Sequence, residues 1–235
     1  MADIHYLDNP LETGELLELL CPPVRNWFKD KFPDFTDPQK LAIPAIINQE
    51  HLLLCSPTGS GKTLTAFLSI IDKLVRLALD KKLEKRVYCV YISPIKALAN
   101  DIERNLLGPL SEISESYLPS RAQEIRVGLR TGDTPQSERQ KMLRNPPHIL
   151  ITTPESLAIA ITSPRFQPIV SEVEYMIVDE LHSLVPTKRG VHLALTLSYL
   201  DTLLNRPVQR IGISATMEPL ETVAEYLVSS DDRES

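Results

Sequence analysis

Apolar residues along this chain fall into two alternating rhythms. Short continuous runs at 52–55, 87–92, 125–129, 149–152, 175–178 and 208–213 are rich in Val, Ile, Leu and Tyr and read as buried strands. Between them apolar residues recur at three and four residue steps, which is the spacing of one helix face. These helical stretches cover 61–79, 95–107, 135–144, 154–161 and 190–204, with a last one at 219–228. Strands alternating with helices of this length predict right-handed crossovers and a mostly parallel sheet covered on both faces, an α/β fold. Ligands then gather at the carboxyl ends of the strands.

Residues 1–50 carry a different pattern. Leu11, Leu16, Leu17, Leu19 and Leu20 predict a first helix, Pro22 and Pro23 punctuate it, and Val24, Trp27, Phe28 and Phe32 predict a second. A third opens at Thr36 or Asp37 with Pro38 in its first turn, and buries Leu41, Ile43, Ile46 and Ile47. The polar stretches Leu79 to Arg86 and Leu110 to Gln123 read as exposed connections, and 229–235 as a flexible tail. The chain is thus expected to be one large domain, in which 1–50 packs onto 51–228.

Composition narrows the setting. Of 235 residues 43% are hydrophobic and 24% charged, ordinary values for a globular protein, and no apolar run reaches membrane-spanning length. The first residues lack a basic start and an apolar core, so no secretory signal is read and a cytoplasmic location is expected. Cys21, Cys55 and Cys89 are widely spaced and suit buried thiols in a reducing compartment. A net charge of −6 argues against nucleic-acid binding by bulk positive charge, so any such contact must come from particular loops.

The richest chemistry lies at Ser56-Pro57-Thr58-Gly59-Ser60-Gly61-Lys62-Thr63, a small-residue loop between an apolar strand and an amphipathic helix. Gly59 and Gly61 let backbone N–H groups turn toward phosphate oxygens, and the helix beginning near Gly61 adds the positive end of its dipole. Lys62 is placed to reach the β and γ phosphates of a nucleotide and the Thr63 hydroxyl to ligate Mg²⁺. The loop departs from the general phosphate-binding pattern at Ser56, where glycine is usual.

A second cluster closes the run Tyr175-Met176-Ile177-Val178, which ends in Asp179-Glu180-Leu181-His182. Two acids at the end of a buried strand call for a cation. Asp179 fits a Mg²⁺ ligand and Glu180 the base that takes the proton of an attacking water. The alternative is a helix cap with Glu in the first turn. Ser214-Ala215-Thr216 ends another strand and reads equally as a link to a moving neighbour or as a cap.

Taken in order, these strings resemble the first motor domain of a superfamily 2 helicase with a DExH box, and in finer pattern the Lhr (large helicase-related) group. Motif I is Ser56 to Thr63, motif Ia runs from Tyr91 to Asp101, and Arg130-Thr131-Gly132-Asp133-Thr134 matches motif Ib or its neighbour. Ile151-Thr152-Thr153-Pro154-Glu155-Ser156-Leu157, Asp179 to His182 as motif II and Ser214 to Thr216 as motif III complete the series, and Lys188 to Leu193 matches the group's habit.

The resemblance implies a RecA-like P-loop NTPase fold with ATP and Mg²⁺ as cofactors. It implies that Gln39 reads the adenine edge, and that His182, Ser214, Ala215 and Thr216 couple the nucleotide to neighbouring loops. It further implies that Pro94, Lys96, Arg130, Thr131, Gly132, Thr153, Pro154, Glu155 and Ser156 grip the phosphate backbone of single-stranded DNA or RNA. Helix N-termini and backbone amides suit phosphate oxygens there, which explains how an acidic domain can hold nucleic acid. Lys188 and Arg189 are either a further contact or a solvated face. Such helicases close the ATP site with arginines from a second RecA-like domain, whose motifs are absent from this sequence. The expectation is a domain that binds ATP, hydrolyses it weakly and does not unwind duplexes alone, and couples hydrolysis to translocation or duplex unwinding when paired with a second RecA-like domain. The competing reading is a non-catalytic, nucleotide-responsive binding module.

Overall fold

The computed structural model describes residues 4–57, 59–94, 101–216 and 218–228. Thr58 and Lys96 therefore lie outside the described residues, as do most of motif Ia and the tail 229–235. The six strands are β1 (Leu52–Cys55), β2 (Cys89–Ile92), β3 (Val127–Arg130), β4 (Ile149–Thr152), β5 (Tyr175–Val178) and β6 (Gln209–Ser214). They form one sheet in the order β1-β6-β5-β2-β4-β3, and every pairing is parallel.

Side-chain alternation along the strands builds two cores. Cys89, Tyr91, Ile149, Ile151, Tyr175, Ile177, Ile211 and Ile213 point to one face. Val90, Ile92, Leu150, Met176 and Val178 point to the other. This period of two, with both sides apolar, is what a fully covered parallel sheet demands.

The first face is covered by α1 (Thr13–Leu19), α2 (Pro22–Lys31), α3 (Asp37–Ile47) and α4 (Lys62–Leu79). Leu64, Phe67, Leu68, Ile71, Leu74 and Val75 of α4 are all buried. The α1–α2 corner is pinned to α4 by Asp72, which is 4% exposed and accepts the Cys21 amide at 2.6 Å and Arg76 Nε at 2.7 Å. Thr36 and Gln39 form a reciprocal capping box that starts α3.

One sequence-based expectation fails on this face. The stretch from Leu110 onward is not an exposed connection, because a π-helical turn at Glu103–Leu107 leads into α5 (Gly108–Ser116). Leu106, Leu110 and Ile113 share one helix face and are buried against the first core, while Trp27 Nε1 donates to Glu112 at 2.6 Å. Neighbouring Ser and Glu residues mask an ordinary helical spacing of apolar ones.

The second face is covered by α6 (Gln136–Arg144), α7 (Pro154–Ile161), α8 (Gln167–Val170), α9 (Leu181–Leu184), α10 (Lys188–Asp201) and α11 (Leu220–Leu227). The start of α10 comes so close to the end of α9 that a Cβ at Gly190 would lie 2.2 Å from the Leu184 carbonyl oxygen. Glycine is required there by contact rather than by torsion.

Candidate nucleotide and nucleic-acid site

The strand order sorts the chemistry into two halves. Loops after β1, β5 and β6, on three adjacent strands, carry Ser56 to Thr63, Asp179 to His182 and Ser214 to Thr216. Loops after β2, β4 and β3 carry Pro94, Thr153 to Ser156 and Arg130 to Gly132. All of them leave the carboxyl edge of the sheet, where an open α/β fold places its ligands.

In the first half the loop after β1 folds on itself. Gly59 and Gly61 take φ of 84° and 83°, a left-handed conformation that favours glycine. Ser56 and Ser60 hydroxyls lie 2.5 Å apart, and Thr36 Oγ1 donates to the Ser60 carbonyl at 3.3 Å. Lys62 Nζ donates to the Ser56 and Pro57 carbonyls, the latter at 2.6 Å. Burial lowers the Lys62 pKa, and the Asp179 and Glu180 carboxylates work in the opposite direction. Thr63, half-buried, occupies the first turn of α4. Gln39 lies buried beneath this loop: its Oε1 accepts the Thr36 amide at 2.9 Å, and its Nε2 faces Gly61.

Asp179 is 7% exposed, and burial pushes its carboxyl up to about 6. Its Oδ1 accepts the Glu180 amide at 2.7 Å and its Oδ2 accepts the Tyr91 hydroxyl. A buried carboxylate so held is a hard oxygen donor in a setting that favours a cation. Glu180 adopts φ of 56°, which turns the chain sharply into α9.

His182 joins two segments. Its Nδ1 accepts the Ala215 amide at 3.1 Å, so the neutral ring carries its proton on Nε2, which lies 3.1 Å from Glu180 Oε2. Ser214 is fully buried opposite Cys55 on β1, whereas Thr216 is exposed.

The second half is built on arginines. Arg130, 9% exposed, lays its guanidinium 4.7 Å from the Phe166 ring centroid. The Thr152 hydroxyl donates to the Arg130 carbonyl at 2.8 Å, tying β3 to β4. Thr153 caps α7, accepting the Ser156 amide at 3.3 Å, with Pro154 in the first turn. Arg189 is exposed but tethered: its Nε donates to Glu155 Oε1 at 2.6 Å and its Nη2 to the Pro94 carbonyl at 3.0 Å. Lys188 is exposed beside it.

Two participants have no role in the sequence reading, where Tyr91 enters only as the first residue of motif Ia. Tyr91 looks like any strand residue, and Arg139 like any polar residue of α6, until the fold brings them to Asp179 and to the turn after β3.

A left-handed glycine loop, its lysine and two carboxylates at the carboxyl edge of a parallel sheet define a RecA-like P-loop nucleotide-binding domain. The chain belongs to the DEAD/DEAH box helicase family, whose pattern matches residues 36–225. It is 50% identical over 98% of its length to the ATP-dependent helicase Lhr-Core of Methanocaldococcus jannaschii, and 46% identical over 94% to the Lhr helicase/uracil glycosylase of Escherichia coli. Those matches span 27% and 15% of the two relatives. The solved structure of Mycobacterium smegmatis helicase Lhr bound to ssDNA and AMP-PNP superposes with a TM-score of 0.81 at 44% identity, covering 92% of this chain and 27% of that one. Among the described residues no helix is long and apolar enough to cross a membrane.

Proposed function

We propose that this chain is the ATP-binding half of an Lhr-type motor, which couples ATP hydrolysis to movement along single-stranded nucleic acid once a second RecA-like domain closes over it. The observation that carries the reading is the convergence of Lys62, Asp179 and Glu180, with His182 joining Glu180 to Ala215. A binding module has no need of the last link.

On this reading the phosphates of ATP lie along Ser56 to Thr63, and Lys62 exchanges the Ser56 and Pro57 carbonyls for β and γ oxygens. Gln39, beneath the loop, serves the adenine side. Thr63 and Asp179 would hold Mg²⁺, which would supply neutralisation of phosphate charge. Glu180 takes the proton of the attacking water, held in orientation by the Nε2 proton of His182. Ser214, Ala215 and Thr216 pass the state of the site to the neighbouring domain. Pro94, Arg130, Thr131, Gly132, Thr153, Pro154, Glu155 and Ser156 line the path of the strand, together with Lys96.

Residues 1–50 work as one unit with 51–228, in keeping with a core that runs from Leu16 and Trp27 to Ile213. A reducing cytoplasmic setting suits Cys21, Cys55 and Cys89, all free thiols. The test is ATP turnover with ssDNA and with ssRNA across salt, for the chain alone and for the chain joined to the second RecA-like domain of a relative. Weak turnover alone and strand-stimulated turnover in the joined protein are expected. A flat response to both strands in the joined protein overturns the motor reading.

A further inference from the structure

The turn between β3 and α6 is organised from behind by one side chain. Arg139 Nε donates to the Thr134 carbonyl at 2.9 Å, and its Nη2 to those of Thr131 and Gly132 at 3.2 and 3.0 Å. Inside the turn the Thr134 hydroxyl accepts the Thr131 amide at 2.8 Å and donates to the Leu129 carbonyl at 3.1 Å. Gly132 stands at the exposed apex, with nothing within 4 Å of where a Cβ would project.

One feature makes this more than a tidy turn. Three carbonyl oxygens, each of which would repel a phosphate, are drawn toward the guanidinium.

We propose that Arg139 is the positioning residue of the nucleic-acid grip: its three-carbonyl fork holds Thr131 to Thr134 so that a backbone phosphate meets Thr131, Gly132 and Arg130. The proposal rests on the reading of those three residues as strand contacts. Arg139 itself does not touch the strand. The guanidinium reaches these carbonyls from two nitrogens held in one rigid plane, which the single ammonium nitrogen of lysine does not reproduce.

The test is Arg139→Lys in the 235-residue chain, which keeps the charge and removes the fork. Affinity for fluorescent oligo-dT and oligo-U is measured across salt, alongside AMP-PNP affinity and hydrogen exchange of the 131–134 amides. The expected result is about a tenfold weaker strand affinity with an unchanged salt slope, because the number of phosphates neutralised is the same. Faster exchange confined to 131–134 and unaltered AMP-PNP binding accompany it.

Full affinity in Arg139→Lys shows that charge alone matters and overturns the proposal. So does a salt slope that falls by about one in Arg139→Gln, the mark of a direct phosphate contact. A parallel loss of AMP-PNP binding or of the melting transition shows a general folding role and also overturns it. If Arg139→Lys does not fold, Arg139→Gln is read by the exchange and AMP-PNP criteria. A wild-type chain that binds neither oligonucleotide overturns the strand-contact reading itself, an outcome distinct from the failure of Arg139.

Discussion

The Tyr91 hydroxyl donates to Asp179 Oδ2 across the seam between β2 and β5, where the half of the sheet that carries the phosphate loop meets the half that carries the proposed strand contacts. Tyr91 is fully buried and packs on Phe67, with ring centroids 5.0 Å apart, so the hydroxyl is aimed by the core. Tyr91→Phe keeps that packing and removes the donor. On the proposed role of Asp179 in holding Mg²⁺, turnover of the chain joined to a second RecA-like domain is expected to fall about 10- to 100-fold, the usual cost of losing a group that orients a metal ligand. Calorimetry of ATP binding with and without magnesium is the check: the loss in affinity should be confined to the magnesium titration.

His182 predicts a different split. Its removal frees Glu180 and the Ala215 amide together, yet leaves the loop from Ser56 to Thr63 intact. His182→Ala should bind ATP almost as wild type and lose about 100-fold in strand-stimulated turnover, within the range of general-base effects. An equal loss in ATP affinity would place His182 in binding instead.

Gly190 reports on packing. A methyl group 2.2 Å from the Leu184 carbonyl oxygen has only backbone to displace. Gly190→Ala should lower stability by about 1–3 kcal/mol, the scale of overpacking, seen as an earlier urea midpoint with unchanged slope.

His148 gives the chain an acid-sensitive element. It is 1% exposed, Arg126 donates its amide to Nδ1 at 3.0 Å, and the Arg126 guanidinium lies 2.9 Å from Nε2. Burial first, and the Arg126 charge second, push its pKa down to about 4 from an ordinary 6.5. Between those values the unfolded chain binds a proton that the folded chain refuses. Stability is therefore full above about pH 6.5 and declines as pH falls toward about 4. The decline from this group is on the order of 3 kcal/mol. His148→Gln should flatten that limb in urea unfolding, whereas an unchanged limb would assign it to other groups.

Much of the fold is legible in the sequence. Strand runs at 52–55, 149–152 and 175–178 coincide with β1, β4 and β5, because continuous apolar runs ending in turn residues have few other uses. The loop from Ser56 to Thr63 and the Asp179 to His182 box were readable because their chemistry depends on local order along the chain. Tyr91 and Arg139 were not. Tyr91 acts through β5, far along the sequence, and Arg139 acts on carbonyls, which have no residue identity to read. Arg189 was left between contact and solvated face because Glu155 and Pro94 meet it only after β2, β4 and α10 are assembled. The helix at Gly108–Ser116 was missed where serines and glutamates diluted a real apolar stripe.

The placement of β1 at the sheet's rim, paired among the described residues with β6 alone, sets a timetable for synthesis. Leu52 lies opposite Ile211 and Cys55 opposite Ser214, so the strand that carries the phosphate loop leaves the ribosome long before its partner. Non-local pairing of this kind closes late. A nascent chain interrupted anywhere before residue 209 would have the phosphate loop's sequence without its strand pairing, and so no competence to hold a nucleotide.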